Sequence, residues 1–435
     1  MPSDAAVPAP TAEVRPTRTA LGLILLALTI ASGAAMQGSF SPVQEFAKAD
    51  MGLSDLQISM VQGLAASIPV AVLSIPLGWL VDHTTRVRIL IAMAVVWTLG
   101  TLGTAFADSF GLLFVARMLA GLGATCCLPV AISIAADLCL PHRRGRSLLL
   151  LTMGKVGGQA GAFAIGGMLF SVLAASTAAP LFGLTAWRAT HVWFAVGSAA
   201  LILPLFFLAE PTRKEVSKPG AALGISLQEL WERRRFLAPL FIGQVGVVMA
   251  DVSAGVWAAP VLMRNYGLQP ADFAGWMGLA FLVAGVFGAV LGGFAADWGH
   301  KRYPGKGILI GAVIASGLSI PMALFPIMPQ VAGFGVLLSL LLLCGTIAGL
   351  ITATAIAVLV PNEIRGLCLG AFVVIGALVG LGVAPTAVTL GSTLLGGEDK
   401  LGLALTITGV ATSILAFVAF FMAWRAAPKS ASDAV

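Results

Sequence analysis

The sequence predicts an all-α integral membrane protein with twelve transmembrane helices in two pseudo-symmetric six-helix bundles. Three observations predict this: an apolar composition, twelve runs long enough to span a bilayer, and a residue pattern that recurs 215 positions along the chain. Hydrophobic residues make up 58% of the chain and charged residues 10%, against about 45–50% and 25% in soluble globular domains. Mean hydropathy is +0.98. A soluble fold would have to expose much of this apolar surface to water.

A helix needs about 20 mainly apolar residues to cross the hydrocarbon core. Twelve runs meet this: 19–39, 57–80, 88–107, 111–137, 147–173, 187–208, 237–263, 273–296, 305–326, 331–359, 367–390 and 401–425. They are too long for barrel strands and show no alternation, so they read as helices. The first is expected to remain as an uncleaved span, because it is long for a signal peptide and a six-helix half needs it.

Charge supports the count. Nineteen of the 25 Lys and Arg fall on the side of the two tails and of the loops after even-numbered spans, while Lys48, Arg188, Arg264 and Lys400 fall on the other. The positive-inside rule then puts both termini in the cytosol. The net charge of +6 is read as this topology signal, so no nucleic-acid partner is expected; the expected partners are the bilayer and a small-molecule substrate, with one chain as the working unit. Residues 1–18 read as a disordered tail, 19–208 as the first bundle, 209–236 as a cytosolic linker, 237–425 as the second bundle and 426–435 as a second tail. The five cysteines lie in or beside spans with no metal-ligand spacing. No metal, no cofactor and no phosphate-binding glycine loop is expected, and the chain is not expected to be an enzyme.

The repeat links the halves. Gly52-Leu53 returns as Gly267-Leu268, Gly63-Leu64-Ala65 as Gly278-Leu279-Ala280, and Gly78 with Asp82 as Gly293 with Asp297. Basic residues follow each time: Arg86 and Arg88, then Lys301 and Arg302. A repeat of half the chain suits a transporter built from two related bundles. Gly78-Trp79-Leu80-Val81-Asp82-His83-Thr84-Thr85-Arg86 is similar to the loop signature between helices 2 and 3 of the major facilitator superfamily, from which His83 and Thr85 depart. Arg117 with Gly121 and Gly123 resembles that family's helix 4 motif, and Pro141 to Arg146 and Pro361 to Gly366 resemble its loops after helices 4 and 10. Within the superfamily the run from Gly52 to Arg146 most resembles bacterial spinster-like members, which implies a bacterial inner membrane. It departs from them in two ways: helix 1 has no ionisable residue between Ala20 and Pro42, and Ala124 stands where a glutamate is expected. The resemblance implies a central cavity lined by helices 1, 4, 7 and 10, with transport by rocking of the bundles.

Isolated charges within spans are the candidate site. Asp251 lies sixteen residues after Arg235 and thirteen before Arg264, so about 24 Å and 20 Å of helix flank it. A mid-membrane carboxylate is costly unless paired or wet, and there it can take up and release a proton. Gln244, seven residues earlier, shares its face. Arg117 stays charged and must find an anion, a carbonyl or water, with Thr125 near the same face. Lys155 either joins Gln159 in binding an anion or snorkels to the interface. At the cytosolic ends, Gly78, Asp82, Arg86, Arg88, Asp137, Gly293, Asp297 and Arg302 are expected to form a conformational latch, the alternative being charges solvated at the surface. The sharpest reading is a secondary transporter of a small organic anion with possible proton coupling. The alternative is an uncoupled facilitator, or an exporter of amphipathic, lipid-like compounds.

Overall fold

The computed structural model describes residues 16–139, 144–176, 183–212 and 231–428, and among these it has helices and no strand. Twelve helices are long and apolar enough to cross a membrane: α1 (Thr19–Met51), α2 (Asp55–Leu73), α3 (Arg86–Phe106), α4 (Phe110–Leu138), α5 (Gly145–Ala175), α6 (Ala186–Leu205), α7 (Arg234–Tyr266), α8 (Pro270–Arg302), α9 (Lys306–Ile327), α10 (Val331–Leu359), α11 (Ile364–Leu394) and α12 (Glu398–Ala426). With an even number of spans, both ends of the chain come to one side, the terminal face. The expected tails and linker lie largely outside the described residues, as do Pro141, His142 and Arg143 of the loop after α4.

The largest departure from the expected spans is at α1. The apolar run ends near residue 39, but after a 3₁₀ turn at Ser41–Val43 a further helix runs Gln44–Met51. Pro42, which lacks an N–H, sits in the turn. The added segment carries Gln44, Glu45, Lys48 and Asp50, too polar to count as membrane-spanning. It lies at the far face, opposite the termini.

The 215-residue repeat marks one junction built twice. Gly52 (φ 63°) and Gly267 (φ 66°) both end a helix in the left-handed conformation, which glycine adopts without steric cost. Two residues on, each half re-enters a helix through a side-chain cap. The Ser54 hydroxyl accepts from the Gln57 N–H at 3.2 Å, and Gln57 accepts from the Ser54 N–H at 2.9 Å. At the equivalent place Asp272 accepts from the Gln269 N–H at 2.8 Å. These caps satisfy amides that the first turn leaves unpaired.

The third shared element is where the two halves touch. A Cβ on Gly63 would lie 2.8 Å from the Leu381 carbonyl oxygen of α11, and one on Gly278 would lie 2.7 Å from the Ala160 carbonyl oxygen of α5. Lipid gives helices no hydrophobic reason to associate, so close backbone approach at small residues carries the packing. The α5–α8 seam continues through Gly167 against Ala274 and Gly285 against Val156, while Gly154 and Gly158 seat α5 on Ala27 and Ala31 of α1. At the α2–α11 seam both helices are locally π-helical, over Met60–Leu64 and Gly376–Val383.

Gly278→Leu therefore forces α8 away from α5. Overpacking of this kind costs about 1–3 kcal/mol, and thermal unfolding of the detergent-purified protein is expected to fall measurably. Gly275→Leu, one turn away at an exposed glycine where an added Cβ would meet no atom within 4 Å, is the matched control and is expected to unfold as wild type.

Candidate functional site

Between the halves lies a cavity of about 320 Å³. Helices α1, α4, α7 and α10 line it, as the resemblance implied, and α2, α5, α8 and α11 line it as well; α3, α6, α9 and α12 contribute nothing. Its polar groups are Gln37, Ser41, Gln62, Arg117, Gln159, Asp251 and Thr346. A stacked pair, Phe163 on α5 and Phe281 on α8, adds an apolar wall that joins the two halves, with ring centroids 4.8 Å apart.

Arg117 is 4% exposed. Its Nη1 donates to the Met36 carbonyl at 3.1 Å and its Nη2 to the Gln37 carbonyl. These are carbonyls near the end of the first helical piece of α1, which leaves its last carbonyls without partners inside the helix. The guanidinium also lies over the Phe40 ring at 5.3 Å, a favourable cation–π placement. Its Nε, buried, has no hydrogen-bond partner among the described residues. Arg117 thus ties α4 to α1, and because each Nη carries two N–H groups and gives one to a carbonyl, its guanidinium on the cavity wall keeps donor capacity in hand.

Asp251 faces it from α7 and lies against Gly345 of α10, where an added methyl would collide with the carboxylate. Among the described residues this carboxylate accepts no hydrogen bond and makes no ion pair. Gln244 points to the same α7–α10 seam, with its Nε2 near Gly349; it is buried, its Oε1 has no partner, and it does not line the cavity. Thr125 is half-buried and also off the cavity wall. Lys155 is exposed, one turn from Gln159, without being part of the wall itself. The hydroxyls of Thr346, Thr352 and Thr354 donate to carbonyls of their own helix at 2.8–3.0 Å.

The charges form two clusters at opposite faces. At the terminal face, Arg86 donates to Asp137 at 2.5 Å, to Glu210 at 2.8 Å, and to Ser133 and the Pro211 carbonyl. Arg86 is 3% exposed, and these partners come from α4 and from the segment just after α6, none from the second bundle. Arg88 is exposed, Asp297 is exposed and makes no ion pair among the described residues, and Arg302 lies over Tyr303. The side-chain surroundings of Gly78 and Asp82 lie outside the described residues, and nothing packs beside Gly293.

At the far face the pairs cross between halves. Arg264 of α7 forks onto Glu45 at 2.7 and 2.8 Å and onto Asp55 at 2.7 Å. Lys48 bridges Asp55, at 2.6 Å, and Glu398 of α12. Just beneath, Gln44 donates to the Val256 carbonyl at 2.6 Å and accepts from Gln62. Among the described residues, every ion pair that joins the halves is at this face. Sequence reasoning placed Lys48 and Arg264 at this surface but did not pair them; Glu45, Asp55 and Glu398 carried no signal beyond being carboxylates near span ends.

Residues 23–385 match the family model of the Major Facilitator Superfamily. The chain belongs to the Major Facilitator Superfamily. Among relatives, it is 26% identical over 62% of its length to the probable sulfoacetate transporter of Cupriavidus necator (strain ATCC 17699), of which it spans only 63%. It is 25% identical to the probable galactarate/D-glucarate transporter of Escherichia coli (strain K12), covering 79% of this chain and 80% of that protein. Its fold is similar to the crystal structure of a bacterial homolog to the human lysosomal transporter Spinster, in inward-facing and unoccupied conformation. The TM-score is 0.80 at 21% identity, covering 96% of this chain and 98% of that one. For this superfamily member the far-face cluster is therefore a contact between the two bundles.

Removing Arg264 leaves Glu45 without its cation and Asp55 with Lys48 alone. Loss of one partner costs about 3–5 kcal/mol in a buried pair and under about 1 kcal/mol in an exposed one, and these groups are 4–20% exposed. Arg264→Ala is expected to raise the population with a separated far face by at least about tenfold. Distances between spin labels at the exposed positions Ala49 and Leu394 check this; an unchanged distribution would show the cluster carries no closure.

Proposed function

We propose that the chain is a secondary transporter moving a small organic anion by alternating access, coupled to a proton carried on Asp251. The observation that carries this reading is Arg117: a buried guanidinium on the cavity wall, held by two carbonyls, with an N–H still free. Guanidinium binds carboxylate or sulfonate oxygens through charge-assisted hydrogen bonds. Gln37, Gln62 and Gln159 supply neutral amides around it. The names of the two curated relatives, a sulfoacetate and a galactarate/D-glucarate transporter, point to the same ligand class.

Both termini are proposed to lie in the cytosol of a bacterium, with one chain sufficient for transport. The far face is then external, and the structure corresponds to a state closed outside by Arg264 and Lys48. The bodies that rock are the segments 19–208 and 237–425, tethered by 209–236. The Gly78–Asp82 and Gly293–Asp297 segments would latch the terminal face in the opposite state. This accounts for Asp297 standing exposed here. Lys155, one turn below Gln159, would attract anions entering from the cytosol. A part-apolar, amphipathic solute is the second reading, favoured by the stacked Phe163 and Phe281.

Proteoliposomes test the assignment, with sulfoacetate, galactarate and other small carboxylates as candidate solutes. Saturable uptake driven by a proton gradient is expected. A hydrogen bond to a charged group is worth about 1.5–3 kcal/mol, so Arg117→Gln should lower kcat/KM about 10- to 100-fold, with Arg117→Lys intermediate. Asp251→Asn should abolish gradient-driven accumulation and retain solute exchange. Gradient-independent wild-type flux removes the proton from the scheme, and wild-type kinetics in Arg117→Gln remove the anion site.

A further inference from the structure

Asp251 lines a second, smaller space. Behind it, away from the main cavity, a hollow of about 10 Å³ is walled by Val247, Ala250 and Asp251 of α7, Ala315, Ser316 and Ser319 of α9, and Leu341, Cys344 and Gly345 of α10. A single water needs about 10–15 Å³ by this measure, so the hollow admits one small particle at most. Its two hydroxyls are both bonded back to their own helix. The Ser316 hydroxyl donates its proton to the Ala312 carbonyl at 2.7 Å, and the Ser319 hydroxyl donates to the Ser316 carbonyl at 2.7 Å. Both oxygens are left with lone pairs to offer and no hydrogen. The Asp251 carboxylate is an acceptor too, and no donor reaches it among the described residues. The remaining polar atom is the Cys344 sulfur, a weak donor.

Such a wall has little use for water, whose own lone pairs would find only the weak thiol as a donor. A cation satisfies all of it at once. One carboxylate supplies one negative charge, which suits a monovalent ion, and hydroxyl and carboxylate oxygens are ligands for hard cations. The size of the hollow selects against the larger alkali ions. We propose that Asp251, Ser316 and Ser319 form a binding site for one sodium ion, set behind the transport cavity and occupied when the shared carboxylate is deprotonated, so that sodium and the proton exchange on Asp251. The site explains how a carboxylate can sit in mid-membrane without a protein counter-charge, a costly arrangement otherwise. It also gives Gly345 a role, because any side chain there would push the carboxylate out of the hollow. Only the coupling of this ion to solute flux rests on the transport reading; the binding itself does not.

The test is equilibrium binding of ²²Na⁺ to the purified full-length chain in detergent, with choline chloride holding ionic strength and no anionic solute present. Saturable binding of one sodium per chain is expected, displaced by unlabelled sodium and not by potassium. Asp251→Asn and the pair Ser316→Ala with Ser319→Ala should each weaken it at least tenfold, and Thr354→Ala, elsewhere on α10, should leave it unchanged. Absence of saturable sodium binding by folded wild-type protein overturns the proposal, as does unaltered binding in both variants that remain monodisperse. If a variant does not fold, failure of sodium to outcompete potassium on the wild type has the same force. Sodium binding without anion uptake would leave this site standing and overturn the transport reading; anion uptake in sodium-free medium with no sodium binding would do the reverse.

Discussion

The arrangement depends on one constraint: in lipid, helices are held together by how closely their backbones can approach. The halves meet where a glycine admits a neighbour: Gly63 of α2 against α11, Gly278 and Gly285 of α8 against α5, and Gly167 of α5 against α8. Both seams involve the same pair of helices under the internal symmetry, α2 with α11 and α8 with α5. Two seams set apart leave a space between them, and that space is the cavity. The seams differ in texture: α5 and α8 remain α-helical at their contact, whereas α2 and α11 are both π-helical there. A π segment loosens the regular ladder and often marks a functional position, so any bending between the halves would be absorbed more easily at α2–α11 than at α5–α8.

Charge adds state to this geometry. Arg86 and Arg264 have similar partner sets, each forking onto two carboxylates, yet they serve different ends. The partners of Arg86 come from α4 and the segment after α6, so that cluster stiffens one bundle and persists whatever the other bundle does. Arg264 reaches from α7 to Glu45 and Asp55 and so reports whether the bundles are together. Only the second would change if the halves separated.

Much of this was legible in the sequence, for physical reasons. Apolar length fixed the spans because nothing else crosses lipid, and the run 331–359 matches α10 residue for residue. The repeat marked the helix junctions and crossings because backbone conformation and close approach both demand glycine. The polar continuation of α1 was missed, since hydropathy is blind to a helix that lies beyond the hydrocarbon. The far-face cluster was missed for a related reason: its five charges are scattered from Glu45 to Glu398 and acquire meaning only when two bundles close. Asp251 and Arg117 stood out because isolated charge inside a span is rare. Which way each faces depends on rotations of α4 and α7 that spacing alone does not fix.

The symmetry also relates the two charges that break it. Asp251 stands sixteen residues before the glycine that caps α7; in α1 the residue sixteen before Gly52 is Met36. Met36 is one of the two residues whose carbonyls receive Arg117 from α4. In the second half, α10 occupies the place of α4, and there it brings no cation, only the bare backbone at Gly345 that receives Asp251. One contact between symmetry-related helices thus carries a positive charge offered by the outer partner, and the other a negative charge offered by the inner one. In the first half the cation finds carbonyl dipoles ready; in the second the anion accepts no hydrogen bond among the described residues. The two halves share a scaffold but pose opposite electrostatic needs, and the proposed anion at Arg117 and the proposed cation at Asp251 would each answer one of them.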